Sequence, residues 1–168
     1  SEIVWSSSDC EAIDAIAPLW ITRLLTVACE TGLRPGDLIK LNRGHVEETP
    51  KGRRLRVRTN KRKRLAHIPI SPKLAEIIDA TPVGQMLILT NASGQQLTEH
   101  RASEGLRQWR DKAKLSRDLR LQDTRGTAAT RLLNAGLSLS EIANHMGWSI
   151  RTAANVIEHS ARVSPDET

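Results

Sequence analysis

The sequence predicts a mainly helical fold with a small antiparallel β-sheet, of the α+β class. Most of the chain carries apolar residues three and four positions apart, which is the spacing of one helix face, as Ile21, Leu24 and Ala28 illustrate. Residues 54–58 instead alternate arginine with leucine and valine, which is typical of a strand with one face on the core. At 168 residues, the chain is long enough for one domain with its own core.

Capping signals predict where the helices begin and end. Ser8 and Glu11 form a capping box that is expected to start the first helix, and Pro18 suits the first turn of a second helix that ends at Gly32. A helix that begins near Leu121 is expected to turn Leu133 toward the core. Further helices are predicted over residues 71–80, 98–114, 138–146 and 149–159.

A basic hairpin is predicted between residues 54 and 70, with its turn at 60–63. The stretch from Lys51 to Arg64 holds nine basic residues and no acidic one, and the whole chain has a net charge of +6. A solvated basic face is one explanation, but like charges at this density repel one another unless an anion covers them, which favours a nucleic-acid partner. The expected DNA contacts are Arg54, Arg56, Arg58, Arg62, Lys63 and Arg64.

The composition restricts the class of binding partner and the cellular compartment that the sequence predicts. The chain has no Phe and no Tyr, and four Trp are too few for the stacking platforms that single-stranded nucleic acid requires, so duplex DNA is the expected partner. No apolar run approaches bilayer length and no signal peptide is visible, which predicts a cytoplasmic protein without a membrane partner. Cys10 and Cys29 are expected to be reduced core residues, and the histidines lack the spacing of a metal site.

The turn at residues 30–41 places Arg34 where a new helix begins, beside free backbone N–H groups and ahead of Pro35. A cation is not favoured at a helix N-terminus unless an anion lies nearby. Two explanations remain open at this point: an ion pair with Glu30 or Asp37, or a role for Arg34 as a phosphate ligand.

The last third of the chain carries Arg125 in a helix rich in small residues, and a Gly147-Trp148-Ser149 turn before the final helix. Residues 135–149 also look like a helix-turn-helix, so a transcription regulator is the main alternative function. That alternative explains neither the turn around Arg34 nor the basic hairpin. A basic structural scaffold explains neither of them.

Four segments in order resemble the catalytic domain of the tyrosine recombinases, the phage integrase family. Residues 31–41 are similar to the family's T-G-L-R-x-x-E/D-L-x-x-L box, and Lys61 corresponds to its hairpin lysine, which precedes a strand that ends in Ile-Pro. Residues 122–125 resemble its H-x-x-R box, and residues 146–149 resemble its L-G-H/W-S box. The resemblance covers the chain from Trp5 onward. It implies one catalytic domain over residues 1–168, without the N-terminal core-binding domain of full-length relatives.

The resemblance also implies a chemistry. In this family a tyrosine attacks a DNA phosphodiester and forms a 3′-phosphotyrosyl link, without metal or nucleotide cofactor, and the enzymes assemble as tetramers on paired sites of double-stranded DNA. By resemblance, Arg34 and Arg125 neutralise the phosphate and Trp148 donates its indole N–H to it. Lys61 would protonate the 5′-oxygen, although Arg62 or Lys63 fits the same role if the hairpin register shifts.

Two positions depart from the family pattern. Gln122 stands where the family has histidine, and its amide cannot relay a proton, so slower chemistry is expected. Ser160 stands where the family has its tyrosine. Because a serine hydroxyl is shorter and far more basic than a phenol, the domain is expected to be inactive in DNA cleavage, as an engineered knockout or a degenerate copy. A Ser160 nucleophile activated by His159 is disfavoured, since neighbours on a helix point about 100° apart.

Overall fold

The computed structural model describes residues 3–61 and 63–163, and over these residues the chain forms eight α-helices and one three-stranded antiparallel sheet. The predicted α+β class is confirmed. None of the described helices is long and apolar enough to cross a membrane. The elements are α1 Ser7–Ile16, α2 Leu19–Thr31, α3 Pro35–Leu38, β1 Val46–Thr49, β2 Gly52–Arg58, β3 Leu65–Pro69, α4 Pro72–Ala80, α5 Glu99–Lys112, α6 Thr124–Asn134, α7 Leu139–Met146 and α8 Ile150–Val163, with single 3-10 turns at Arg43–His45 and Leu121–Asp123.

Helix α2 is the centre of the core. Its apolar face is fully buried, and it contacts α4, α5 and α6. The approach of α6 is close because its buried face consists of small residues such as Ala128 and Ala129. Gly105 has the same effect on α5, since a Cβ there would lie 2.4 Å from the Trp20 ring. The predicted core face of α2 is therefore confirmed, and it holds the segments that carry Arg34 and Arg125 together.

The sheet has the strand order β1-β2-β3. Leu55 pairs with Val46 on one side and with Ile68 on the other, and Leu55, Val57 and Ile68 are buried. The predicted hairpin of β2 and β3 is confirmed, with its arginines on the outer face. The third strand, β1, extends this hairpin, and its Glu47 lies opposite Arg54.

Three local predictions are wrong. The first capping box is formed by Ser6 and Asp9 rather than by Ser8 and Glu11, because Ser6 Oγ accepts the Asp9 N–H while the Asp9 carboxylate accepts the Ser6 N–H. Leu133 is 39% exposed, since the core side of α6 ends at Leu132. The last helix continues beyond residue 159 to Val163.

Candidate active site

Gly32 brings the ends of α2 and α7 together. It ends α2 in the left-handed region, with φ of 69°, which favours glycine. A Cβ at this position would lie 2.4 Å from Met146 Cε and 3.2 Å from Ala128 Cβ. A side chain at residue 32 would therefore have to displace the Met146 side chain of α7 and would crowd Ala128 of α6.

Two helix C-termini hold the predicted arginine pair. Arg125 donates from Nε to the Gly32 carbonyl at 2.8 Å and from Nη2 to the Met146 carbonyl at 2.9 Å. Arg34 donates from Nη2 to the same Met146 oxygen at 3.5 Å. Terminal carbonyls of a helix lack partners within the helix and carry partial negative charge, so they attract cations without cancelling a full charge. The two guanidinium groups are thus brought to one carbonyl oxygen, that of Met146.

The two carboxylates that were candidates to pair with Arg34 have other partners. Glu30 forms a buried ion pair with Arg131 of α6. Asp37 is buried and accepts the backbone N–H of Asn60 at 2.9 Å. No ion pair joins Arg34 to a carboxylate within residues 3–61 and 63–163. The ion-pair explanation for Arg34 is therefore wrong.

An open cleft of about 360 Å³ gathers four of the predicted catalytic residues, Arg34, Gln122, Arg125 and Trp148. Ile3, Pro35 and Val156 contribute to its apolar wall. The Trp148 ring centre lies 5.8 Å from Arg125 Cζ, within the range of a cation–π contact. The position of Trp148 follows from Gly147, which ends α7 with φ of 76°, so that the Trp148 N–H donates to the Ala143 carbonyl at 2.9 Å.

Lys61 does not line this cleft. It is exposed in the turn between β2 and β3, where Lys63 adopts a φ of 52° and the Thr59 N–H donates to the Arg64 carbonyl at 2.8 Å. The bond from Asn60 to Asp37 ties this turn to α3, which follows Arg34 directly. The loop is thus anchored beside the arginine pair, while the Lys61 side chain lies outside it.

Ser160 lies away from the cleft as well. It is 2% exposed, on the buried face of α8 that it shares with Ala153 and Val156. Val156, one turn earlier, lines the cleft, whereas Ser160 does not. The Ser160 hydroxyl is therefore enclosed in the interior and is not presented to a molecule bound between the arginines.

The basic hairpin carries less free charge than its sequence implies. Glu47 accepts from Arg54 at 2.9 Å and lies 3.9 Å from Arg56, and Asp79 of α4 pairs with Arg53 at 2.8 Å. Of the other expected DNA contacts, Arg58 donates to the Lys63 carbonyl at 3.3 Å, Arg64 donates to the Asn144 side chain, Lys63 is exposed, and Arg62 lies outside the described residues.

His145 lies behind the cleft and was not among the residues predicted for the site. Its Nε2 lies 2.8 Å from the Thr31 carbonyl oxygen, at the end of α2. Burial lowers the pKa of His145, and the nearby Arg125 and Arg34 lower it further against the opposing effect of the bond to Thr31. Burial therefore favours the neutral imidazole over the protonated one. No local sequence pattern predicts this contact, because the two residues are 114 positions apart.

Comparisons with known proteins identify the family of the chain and its fold. The sequence profile of the phage integrase family matches residues 9–162, a span that includes the helix-turn-helix-like segment 135–149. A search of curated protein sequences finds no match. Among solved structures, the fold is similar to lambda integrase bound to DNA (TM-score 0.74, 18% identity, 95% of this chain and 61% of that chain), to the lambda integrase catalytic core (0.69, 18%, 86% and 90%) and to XerA recombinase (0.67, 16%, 92% and 58%).

The chain spans about half the length, 49%, of the lambda integrase chain that was solved as a dimer on a core site. At identities this low the structural likeness shows the fold. The profile match, which covers most of the chain, shows the family.

Proposed function

Because this chain belongs to the phage integrase family, we propose that it is the catalytic domain of a tyrosine recombinase and binds double-stranded DNA with one phosphate between Arg34 and Arg125. The observation that carries the proposal is the Met146 carbonyl, which accepts from both guanidinium groups and so brings them together in one cleft. Proteins of similar fold have been solved on DNA, including lambda integrase on a core site and XerH recombinase on a difH substrate.

Each cleft residue has a role in this proposal. The planar forks of Arg34 and Arg125 suit the non-bridging oxygens of a phosphate, because each fork can donate two parallel hydrogen bonds. The indole N–H of Trp148 and the amide of Gln122 supply further donors from the same cleft. Lys61 would reach the 5′-oxygen only after DNA brings the hairpin turn over the cleft, since the side chain is exposed without DNA.

The domain as it stands is proposed to bind DNA without cleaving it. A phenol has a pKa of about 10, and a serine hydroxyl is much more basic and therefore a poorer nucleophile at neutral pH. The burial of Ser160 adds a second obstacle, because its oxygen faces the interior of the fold. The homo-tetramer on paired DNA sites is part of the same proposal, by analogy with the lambda integrase tetramer solved on a Holliday junction.

A binding titration tests the phosphate site. We expect the double variant Arg34→Ala and Arg125→Ala to lose at least about tenfold in affinity for a duplex, and the slope of log K against log salt to decrease, because each phosphate contact contributes about 0.9 to it. The matched control is Arg23→Ala with Lys73→Ala, which removes the same charge from a separate cleft between α1, α2 and α4. Equal losses in both double variants would mean that only net charge matters, and the phosphate site would be rejected.

A nicked suicide substrate tests the missing nucleophile. The substrate would carry a duplex site selected by the protein itself from a random library. We expect no covalent adduct from the unchanged chain and an adduct from Ser160→Tyr, because the larger side chain cannot remain at a site that is 2% exposed and must turn outward with the end of α8. An adduct formed by the unchanged chain would contradict the proposed inactivity, and a bound but unreactive Ser160→Tyr variant would indicate a degenerate DNA-binding module.

A further inference from the structure

His145 makes a directional contact behind the arginine cleft. Its partner at 2.8 Å is a backbone carbonyl, which can only accept a hydrogen bond, so His145 Nε2 must carry the proton. The acceptor belongs to a fixed part of the chain, because Thr31 is fully buried and its hydroxyl donates to the Val27 carbonyl at 2.8 Å. The imidazole thus joins α7 to the end of α2 by one hydrogen bond, in which His145 is the donor and Thr31 the acceptor.

The residues that follow the two bonded positions supply the carbonyls of the cleft. Thr31 precedes Gly32, whose carbonyl accepts from Arg125, and His145 precedes Met146, whose carbonyl accepts from both Arg125 and Arg34. A bond between residues 31 and 145 therefore fixes the distance between the two acceptors. If that distance changed, Arg125 could not keep both of its bonds.

We propose that His145 is a positioning residue for the arginine pair: its Nε2–H holds the Gly32 and Met146 carbonyls at the separation that orients Arg34 and Arg125 toward a phosphate. This role rests on the proposed function, since it acts through the same two arginines. It differs from the roles of the cleft residues, because His145 does not line the cleft and would not touch DNA there.

The surroundings of the ring require its neutral form. Within the described residues, His145 Nδ1 is buried and has no hydrogen-bond partner, so a proton on this atom would have no acceptor. The charged groups that act on the pKa of the ring are Arg125 of α6, Arg34, and Asp37 of α3. Arg64 and His67 of the hairpin and Glu141 of α7 line a second cleft together with His145. A neutral donor is what the site needs, and glutamine can replace it.

The test combines a donor-retaining variant with a double-mutant cycle. His145→Gln keeps an N–H donor at similar reach, whereas His145→Leu keeps similar volume and removes the donor. We expect His145→Leu to weaken duplex binding about tenfold and His145→Gln to remain within about threefold of the unchanged chain. In the background of Arg34→Ala with Arg125→Ala, His145→Leu should have no further effect, because there are no guanidinium groups left to orient.

The outcomes separate the two proposals. If the arginine variant binds DNA as tightly as the unchanged chain, the proposed function and the positioning role are both overturned. If the arginine variant loses affinity and His145→Leu lowers affinity by the same factor in both backgrounds, only the positioning role is overturned. A long-range proton–nitrogen NMR spectrum of the unchanged protein gives a measurement that does not depend on any variant folding. Protonation of Nε2 alone supports the proposal, and protonation of Nδ1 alone overturns it.

Discussion

The arginine cleft and the basic hairpin hold positive charge in opposite ways. In the cleft, Arg34 and Arg125 are oriented by carbonyls at the ends of α2 and α7, which carry only partial charge. On the hairpin, Arg53, Arg54 and Arg56 are paired with full carboxylates. Backbone carbonyls orient a cation while preserving its attraction for a phosphate, whereas carboxylates reduce that attraction. Arginine density in a sequence is therefore a poor guide to the charge that a surface offers to an anion.

The largest expected difference between the two regions concerns the stability of their ion pairs. The Arg131–Glu30 pair behind the cleft is mostly buried, with side chains 17% and 6% exposed, while Arg53 and Asp79 on the hairpin are 28% and 62% exposed. We expect Arg131→Met to lower the free energy of unfolding by about 3–5 kcal/mol, because it leaves a carboxylate buried without its partner. We expect Arg53→Met to cost less than about 1 kcal/mol. Urea denaturation of the two variants measures both.

A second substitution tests why Arg131→Met lowers the stability: through the unpaired charge of the buried Glu30 carboxylate, or through lost packing. Adding Glu30→Leu to Arg131→Met removes the unpaired carboxylate and should recover much of the lost stability. If the double variant were less stable than Arg131→Met alone, the ion pair would not explain the difference between the regions.

A somewhat smaller effect is expected at Gly32, where the cleft depends on a close backbone approach. Gly32→Ala should lower the free energy of unfolding by about 2–4 kcal/mol, because a left-handed residue gains a Cβ and that Cβ meets Met146 and Ala128. Gly94→Ala is the matched control, since Gly94 has a φ of 80° but nothing within 4 Å of its added Cβ. It should cost about 1 kcal/mol. Equal losses in thermal denaturation would show that the contact with α7 contributes nothing.

The smallest expected effect is the pH dependence of stability from His145. Its pKa is lower in the folded than in the unfolded state, so the unfolded chain binds more protons as the pH falls below about 6.5. The contribution of His145 is therefore fully present above pH 6.5 and is lost as the pH falls through the folded-state pKa. Unfolding by urea between pH 8 and pH 5 should show a shallower pH dependence for His145→Gln than for the unchanged chain.

The hairpin supplies the control for this last prediction. His67 is exposed on β3, and His67→Gln removes one histidine while the bond between His145 and Thr31 stays in place. If both variants changed the pH profile by the same amount, the buried site would not be its source. Burial raises the pKa values of the Asp14 and Asp123 carboxyls, and both carboxyls are present in both variants, so their contribution to the pH profile is common to the two.

Much of this molecule could be predicted from its sequence, for reasons that are local. Apolar residues recur with a period of 3.6 in α2 and of two in β2, because those are the side chains that face the core. Gly32 and Gly147 mark the ends of α2 and α7, where the backbone is left-handed, a conformation that glycine adopts readily. The order of the boxes around Arg34, Arg125 and Trp148 predicted residues that do line one cleft. Ser160 was identified as a departure, although its burial could not be foreseen.

The remaining features were set by contacts between distant residues. Sequence order cannot show that Glu30 would pair with Arg131 instead of Arg34, that Glu47 and Asp79 would neutralise hairpin arginines, or that His145 would reach Thr31. Periodicity and capping are properties of neighbouring residues, so the sequence by itself determined the elements and the identity of the charged groups. Which arginines pair with carboxylates and which are oriented by backbone carbonyls depends on distances of a few ångströms across the fold, and only the tertiary structure decided that.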